Sequence, residues 1–396
     1  MAFAVEMITT VLAIAGMGYY LAALVAARVY LLSRRAPLQL FAPPVTILKS
    51  LKGLDPGMLD AFRSHCRQSY RGSYELLFGV SSLSDPAAAA VEQLTLEFPQ
   101  IQIRLIECPE RLGTNGKVST LIQLVRHASH EFLLINDSDI TVAPDYLERV
   151  MGCFPGSPGA HVSPTKSEAA KLRGLVTALY RGRAHGTLPS HLESLGIATD
   201  FQPAVLLAKL LEGGLHYGLG STLAVRREAL EKAGGLEALV DHLADDYEMG
   251  ARICRAGYKV ELSSAVVETA IPEYDWSGFI DHQLRWLRTV RDARPAGYAG
   301  LIFTYGLGLA LLNVIASGLS PVSLWLLALS LFLRLALAMT VGAEVLGDHQ
   351  VLPLLWLLPF RDLVAMALWA AGFAGNTIVW RGEVFELKRG RLIKTG

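Results

Sequence analysis

Three kinds of hydrophobic pattern follow one another along this chain. The first is a charge-free run over residues 7–27. About 20 apolar residues suffice to cross a hydrocarbon core, so this run predicts a spanning helix. Arg28, Arg34 and Arg35 follow it. A cleaved signal peptide carries its positive charge before the apolar stretch. The reversed order predicts an uncleaved anchor with its C-terminal side in the cytosol. The second pattern alternates short apolar runs with helical segments. Residues 44–49, 74–80, 101–106 and 132–136 read as strands, and 57–68, 86–97 and 117–128 as the helices between them. Such alternation implies a mostly parallel sheet flanked by helices. The third pattern returns to long apolar runs. Residues 295–333 carry no charge but are broken by Gly318-Leu-Ser-Pro321, which predicts two spans and a tight hairpin.

Charge placement refines this outline. Arg285, Arg288, Arg291 and Arg294 precede the later spans and again put the middle of the chain in the cytosol. Arg334 lies well inside an apolar run, so it needs a partner or a water-filled groove. Residues 351–380 are interrupted by Pro359, Arg361 and Asp362. They read either as one span or as a re-entrant piece followed by a span. Arg381, Lys388, Arg389, Arg391 and Lys394 favour a tail inside the cell. Residues 276–294 pattern as an amphipathic helix, with Trp276, Phe279, Leu284, Trp286 and Leu287 among basic residues, expected to rest on lipid headgroups. Residues 201–211 are apolar apart from Lys209, and suit either an interfacial piece or a buried helix. The expected division is an anchor over 1–35, a cytosolic catalytic domain over 36–275, an interfacial helix over 276–294, a membrane region over 295–380 and a basic tail over 381–396.

The 396 residues contain 36 basic and 36 acidic side chains, so no net charge argues for a nucleic-acid partner. Only 18% are charged, too few for an ordinary soluble enzyme of this size. Cys66, Cys108, Cys153 and Cys254 are scattered without a C-x-x-C pair, which fits free thiols in a cytosolic domain and gives zinc no support.

Candidate chemistry sits after the predicted strands. Asp137-Ser-Asp139 follows an apolar strand, where two carboxylates can reach a divalent metal that also touches a diphosphate. A capping role for the helix near Pro144 competes with that reading. Asp245-Asp246 opens a helix; such acids complement a helix dipole, or one of them serves as general base toward a hydroxyl. A base facing the anomeric carbon across the acceptor oxygen would give inversion. His282-Gln-Leu-Arg285-Trp286 supplies a cation suited to a leaving diphosphate and a flat ring suited to a sugar or lipid. The pair also fits a snorkelling role at a membrane surface. Leu112-Gly-Thr-Asn-Gly-Lys117 opens a helix whose amides, with Lys117, favour an anion, though the P-loop spacing is absent.

Taken together, these residues resemble the ceramide glucosyltransferase family, glycosyltransferase family 21, within the inverting GT-A group. The resemblance rests on Ile47-Leu-Lys-Ser-Leu-Lys-Gly-Leu-Asp-Pro56, Asp85-Pro86, Asn115-Gly-Lys117, Asn136-Asp-Ser-Asp-Ile140, Ala233-Gly-Gly-Leu236, Asp245-Asp-Tyr247 and Arg285-Trp286. It implies a GT-A-like, Rossmann-like α/β fold with a mixed sheet, one N-terminal span and two to three C-terminal spans. It also implies a UDP-sugar donor, a Mg²⁺ or Mn²⁺ ion on Asp137 and Asp139, and a membrane-lipid acceptor with a free hydroxyl. By the same resemblance Asp246 is the base, and Lys49, Asn115, Lys117 and Asp137 attend the donor. There are two departures. His282 stands where the family has Gln or Arg, and Ser82 stands where an acid would hold the nucleoside, leaving Asp85 as the nearest carboxylate. The Asp-Asp-Tyr and His-Gln-Leu-Arg-Trp wording looks closer to bacterial members that add N-acetylglucosamine to a hopanoid polyol, which points to a bacterial inner membrane. A processive polysaccharide synthase would share the carboxylates and the Arg-Trp pair, but the few spans argue against it. A non-catalytic membrane module would explain Ser82 and little else.

Overall fold

A computed structural model describes residues 2–35, 40–154, 172–380 and 383–394. The chain forms two compact units. One comprises Ala36–Tyr180 and Glu212–Ala270; the other comprises Met1–Arg35, Arg181–Leu211 and Ile271–Gly396.

The first unit is built on the strand–helix alternation. Strands β1 (Val45–Ser50), β2 (Tyr74–Val80), β3 (Gln102–Glu107) and β4 (Phe132–Ile135) run parallel. Helices Met58–Cys66, Ala87–Glu97 and Gly116–Val125 connect them. β1, β2 and β4 are buried almost throughout, as continuous apolar runs in a sheet covered on both faces should be. β3 is an edge and is only partly covered. Strands β5 (Ile140–Thr141), β6 (Arg173–Arg183), β7 (Leu223–Arg226) and β8 (Lys259–Ala270) complete the order β3-β2-β1-β4-β7-β6-β8-β5. β7 is antiparallel to β4 and β6, and β8 to β5, so the sheet is mixed. Ile47, Phe62, Phe78, Phe132 and Leu134 fill its core.

Register decides which loops meet. Leu48 stands beside Ile135, so Lys49 lies next to the start of the loop after β4. Ile135 stands beside Leu223, which brings the residues before β7 to the same edge. Ile140 stands beside Thr269. The meeting point is the carboxyl end of the parallel strands, where open α/β sheets bind ligands.

The second unit is mainly helical. Phe3–Ser33, Pro295–Ala316, Pro321–Val345 and His349–Ala371 are long and apolar enough to cross a membrane. The last is one continuous helical stretch. It opens as a 3-10 segment through Pro353, and Pro359 sits in the first turn of the α-helix that follows, where its missing N–H costs nothing. Gly16 and Gly306 meet where a Cβ on either would strike backbone, so the first two spans cross closely. Thr9 and Thr10 donate to Asn313 Oδ1 across the same contact (3.0 and 2.8 Å).

Arg334 has the partners its position demands. It is fully buried. Its Nε and Nη2 donate to the two carboxylate oxygens of Asp362 (2.9 and 2.7 Å). Nη1 donates to the Thr199 carbonyl (2.7 Å), and Nη2 also reaches Thr199 Oγ1 (3.1 Å) and Asp200 (2.6 Å). Arg361 pairs with Asp200 as well. The segment 181–211, expected within the catalytic domain, therefore contributes its turn at 199–200 to the helical unit.

On the Trp276–Ala293 helix, Arg288 donates to the carbonyls of Thr377 and Ala374 (2.6 and 3.0 Å), and Arg291 to those of Gly372 and Gly375 (2.5 and 2.8 Å). Carbonyls just past a helix end lack intrahelical donors, and the guanidinium groups supply them. β9 (Thr377–Trp380), β10 (Glu383–Lys388) and β11 (Arg391–Lys394) form an antiparallel meander that buries Ile378, Phe385, Leu387 and Leu392. Arg381 lies outside the described residues.

Candidate active site

Four acids and two lysines gather at the sheet's carboxyl end. Lys117 opens the Gly116–Val125 helix, whose N-cap Asn115 accepts from Val118 N (3.2 Å). The other side of the Asn115 amide donates to the His242 carbonyl (2.8 Å), while Thr114 N and Oγ1 donate to Asp241 (both 3.0 Å). The 112–117 loop is thereby fastened to the loop that leads into the Asp245–Arg255 helix. Lys117 Nζ lies 2.7 Å from Asp137 Oδ1 and 3.6 Å from Asp245 Oδ2, bridging the two acidic motifs. Burial disfavours its charge, but Asp137 and Asp245 outweigh that and hold its pKa above the usual lysine range.

Lys49 is almost wholly buried and donates to the Asp137 carbonyl (2.9 Å), the contact its register dictates. Burial lowers its pKa to about 7, against the pull of Asp139 and Asp137. Asp139 accepts from Thr269 Oγ1, and Ser138 donates to Asp55. Burial and neighbouring Asp137 raise the Asp139 pKa to about 6. Neither Asp137 nor Asp139 caps the Tyr146–Met151 helix, whose N-cap position is Asp145.

Asp246 is held by backbone. Its Oδ2 accepts from Gly220 N and its Oδ1 from Tyr247 N, both at 2.7 Å. The helix it opens can approach this loop because residue 250 is glycine, where a Cβ would run into the Tyr217–Gly218 backbone. Burial and the adjacent Asp245 raise the Asp246 pKa to about 6, and burial raises that of Asp245. Asp245, Lys117 and Asp137 all act electrostatically on Asp246, so two motifs far apart in the chain, at 137 and at 245–246, share one local field around Lys117.

Asp85 is used locally. Its carboxylate accepts from Gly53 N (3.0 and 3.1 Å) and from Ala87 N (2.9 Å), which ties the start of the Ala87–Glu97 helix to the loop after β1. Ser82 Oγ meets Ser84 Oγ (2.9 Å), and Leu83 N donates to Glu107 at the end of β3 (3.1 Å).

His282, Arg285 and Trp286 belong to the other unit, on the Trp276–Ala293 helix. Spaced at i, i+3 and i+4, they share one helical face. His282 Nδ1 lies 3.0 Å from Glu193 Oε2, and its ring lies 5.4 Å from Tyr274 and 5.0 Å from Trp286.

Sequence reasoning missed Thr269, Gly220, Asp241 and Glu193, each of which orients a candidate residue. Three of them sit in strands or loops with no local pattern to mark them. Glu193 had a weak signal, as an acid between leucines in a helix.

Among the described residues there is no group of three or more His, Cys, Asp or Glu side chains that could hold a metal by themselves. Asp137 and Asp139 offer an all-oxygen pair, one residue apart at the end of a buried strand. That donor set fits a hard divalent cation sharing its coordination with phosphate oxygens.

A mixed α/β sheet with acids and lysines at its strand ends, joined to four apolar helices, defines a membrane-associated glycosyltransferase of the GT-A type. Comparison with known proteins places it further. The chain matches the family described as Glycosyl transferase family 21 over residues 8–393, and it belongs to that family. It is 25% identical over 359 residues to ceramide glucosyltransferase 3 of Caenorhabditis elegans, covering 88% of this chain and 73% of the relative. Ceramide glucosyltransferase 1 of the same organism is 23% identical over 367 residues, with 89% and 73% covered. Among solved structures, a mannosyltransferase from Pyrobaculum calidifontis, in complex with GDP-mannose and Mn²⁺, aligns with a TM-score of 0.54 at 20% identity, covering 93% of this chain and 97% of that one. That likeness shows the shared fold.

Proposed function

We propose that the chain transfers a hexose or N-acetylhexosamine from a UDP-linked donor to a hydroxyl of a membrane lipid, ceramide-like or a hopanoid polyol, with inversion at the anomeric carbon. Asp246 carries this reading. Two backbone N–H groups fix its carboxylate, and its raised pKa gives it a proton affinity suited to a base near neutral pH. The acceptor hydroxyl gives its proton to Asp246 while its oxygen bonds to the anomeric carbon, and the bond to the diphosphate breaks on the opposite side. Lys117 holds positive charge where a diphosphate can use it, and Lys49 lies beside the same loop as a second donor. Asp137 and Asp139 would hold a divalent cation, which when bound supplies further positive charge to the diphosphate. Arg285 and His282 serve the leaving group in this reading, and Trp286 offers its face to sugar or lipid. The lipid-glucosylating names of the relatives support the acceptor class. The arginines that follow the first span and precede the second support a catalytic unit on the cytosolic face.

The test is mass spectrometry of lipids from cells expressing the chain, set against the Asp246→Asn variant. One new glycolipid, absent with the variant, is expected; loss of the base should cost about 10²–10⁴ in rate. Nucleotide binding to the purified variant should survive. Polymer instead of glycolipid would indicate a processive synthase, and near-normal turnover by Asp246→Asn would remove the base assignment.

A further inference from the structure

Glu193 lies on the Leu188–Gly196 helix and is only 3% exposed, nearly as buried as Leu192 and Leu195 at 1% each. A carboxylate that deep must find donors. Both of its recorded donors come from one turn of the Trp276–Ala293 helix. Glu193 Oε2 accepts from His282 Nδ1 (3.0 Å) and from Gln283 Nε2 (3.1 Å). The next turn carries Arg285 and Trp286.

The chemistry of this contact is specific. A carboxylate only accepts, so His282 must carry a proton on Nδ1, and Nε2 becomes the ring nitrogen left for other work. The ring plane is fixed at the same time. Tyr274 stacks on it at 27°, and Trp286 lies against it at 5.0 Å. Trp286 is in turn 6.4 Å from Phe201. One buried acid thus sets the tautomer of His282, and with Gln283 it sets the rotation of the helix that carries the Arg-Trp pair. A partner that only held two helices together would have no need of charge; leucine would fill the space at lower desolvation cost.

We propose that Glu193 is the positioning residue of the transfer reaction, acting through His282 and Gln283 on the helical face that presents His282, Arg285 and Trp286. This rests on the reading that those three residues act in transfer.

The experiment is a double-mutant cycle on the full chain in lipid nanodiscs. Wild type, Glu193→Gln, His282→Gln and the double variant are assayed with UDP-glucose and with UDP-N-acetylglucosamine, using ceramide and a hopanoid polyol as acceptors. Glu193→Gln should lower kcat about 10–100-fold, the usual cost of losing such an orienting partner, with donor KM within about threefold. In the His282→Gln background the same change should cost less than about threefold, because its route of action is gone. Equal loss in both backgrounds, or a Glu193→Gln variant within twofold of wild type, overturns the proposal. If Glu193→Gln is not recovered as folded protein by thermal melting, Glu193→Asp replaces it. Its shorter arm withdraws the carboxylate from His282, and the same non-additivity is required. Wild-type turnover separates the two claims: with none on any donor–acceptor pair both fall, whereas turnover with an additive cycle removes only the role of Glu193.

Discussion

The buried arginine of the helical unit gives the sharpest test of how this molecule is held together. Arg334 makes five hydrogen bonds, to Asp362 twice, to Thr199 twice and to Asp200 once. In Arg334→Met the thioether chain fills similar space but donates nothing. Asp200 keeps Arg361, but Asp362, only 1% exposed, loses the guanidinium that spans both its oxygens. Stranding one partner of a buried ion pair costs about 3–5 kcal/mol, most of it the desolvation of the remaining charge. Replacing both partners with apolar groups removes that charge, so Arg334→Met/Asp362→Leu should recover most of the loss and come within about 1–2 kcal/mol of wild type. Denaturant unfolding of the three proteins in one detergent measures this. The effect should extend to function. Gly196 lies against Arg361 of the same cluster, so the helix that carries Glu193 is seated on it. A single variant as stable as wild type would refute the reasoning, as would a double variant no better than the single.

Two predictions concern the acids at the sheet edge. Asp246 must be ionised to accept a proton, and its folded pKa is raised to about 6; kcat/KM should therefore fall as pH drops through about 6, and a profile flat from pH 5 to 7 would exclude it as the base. Excess EDTA should abolish transfer and Mg²⁺ or Mn²⁺ restore it, whereas full activity in EDTA would take the metal role from Asp137 and Asp139.

Much of the catalytic unit was legible in the sequence. The signals for the first four strands fall within one residue of the observed elements: β1, β2 and β4 because a strand buried on both faces must be apolar end to end, and edge strand β3 because its residues alternate. The acids after β4 and at the start of the Asp245–Arg255 helix stood out for the same reason in reverse: charge directly beside buried elements. What could not be read was the antiparallel half. β7 has only four residues, and β5 two, so their pairing depends on partners far along the chain.

The sequence by itself determined the apolar spans, the parallel strand order's raw material and the identity of the acidic motifs, since length, period and charge are local properties. Only the tertiary structure decided that Arg334 is neutralised by Asp200 and Asp362, that Arg288 and Arg291 cap the carbonyls past a neighbouring helix, and that Glu193 holds His282. Each of these joins groups dozens to hundreds of residues apart. A buried charge announces that it needs a partner, but which one it finds is set by packing and register, and no short stretch of sequence encodes either.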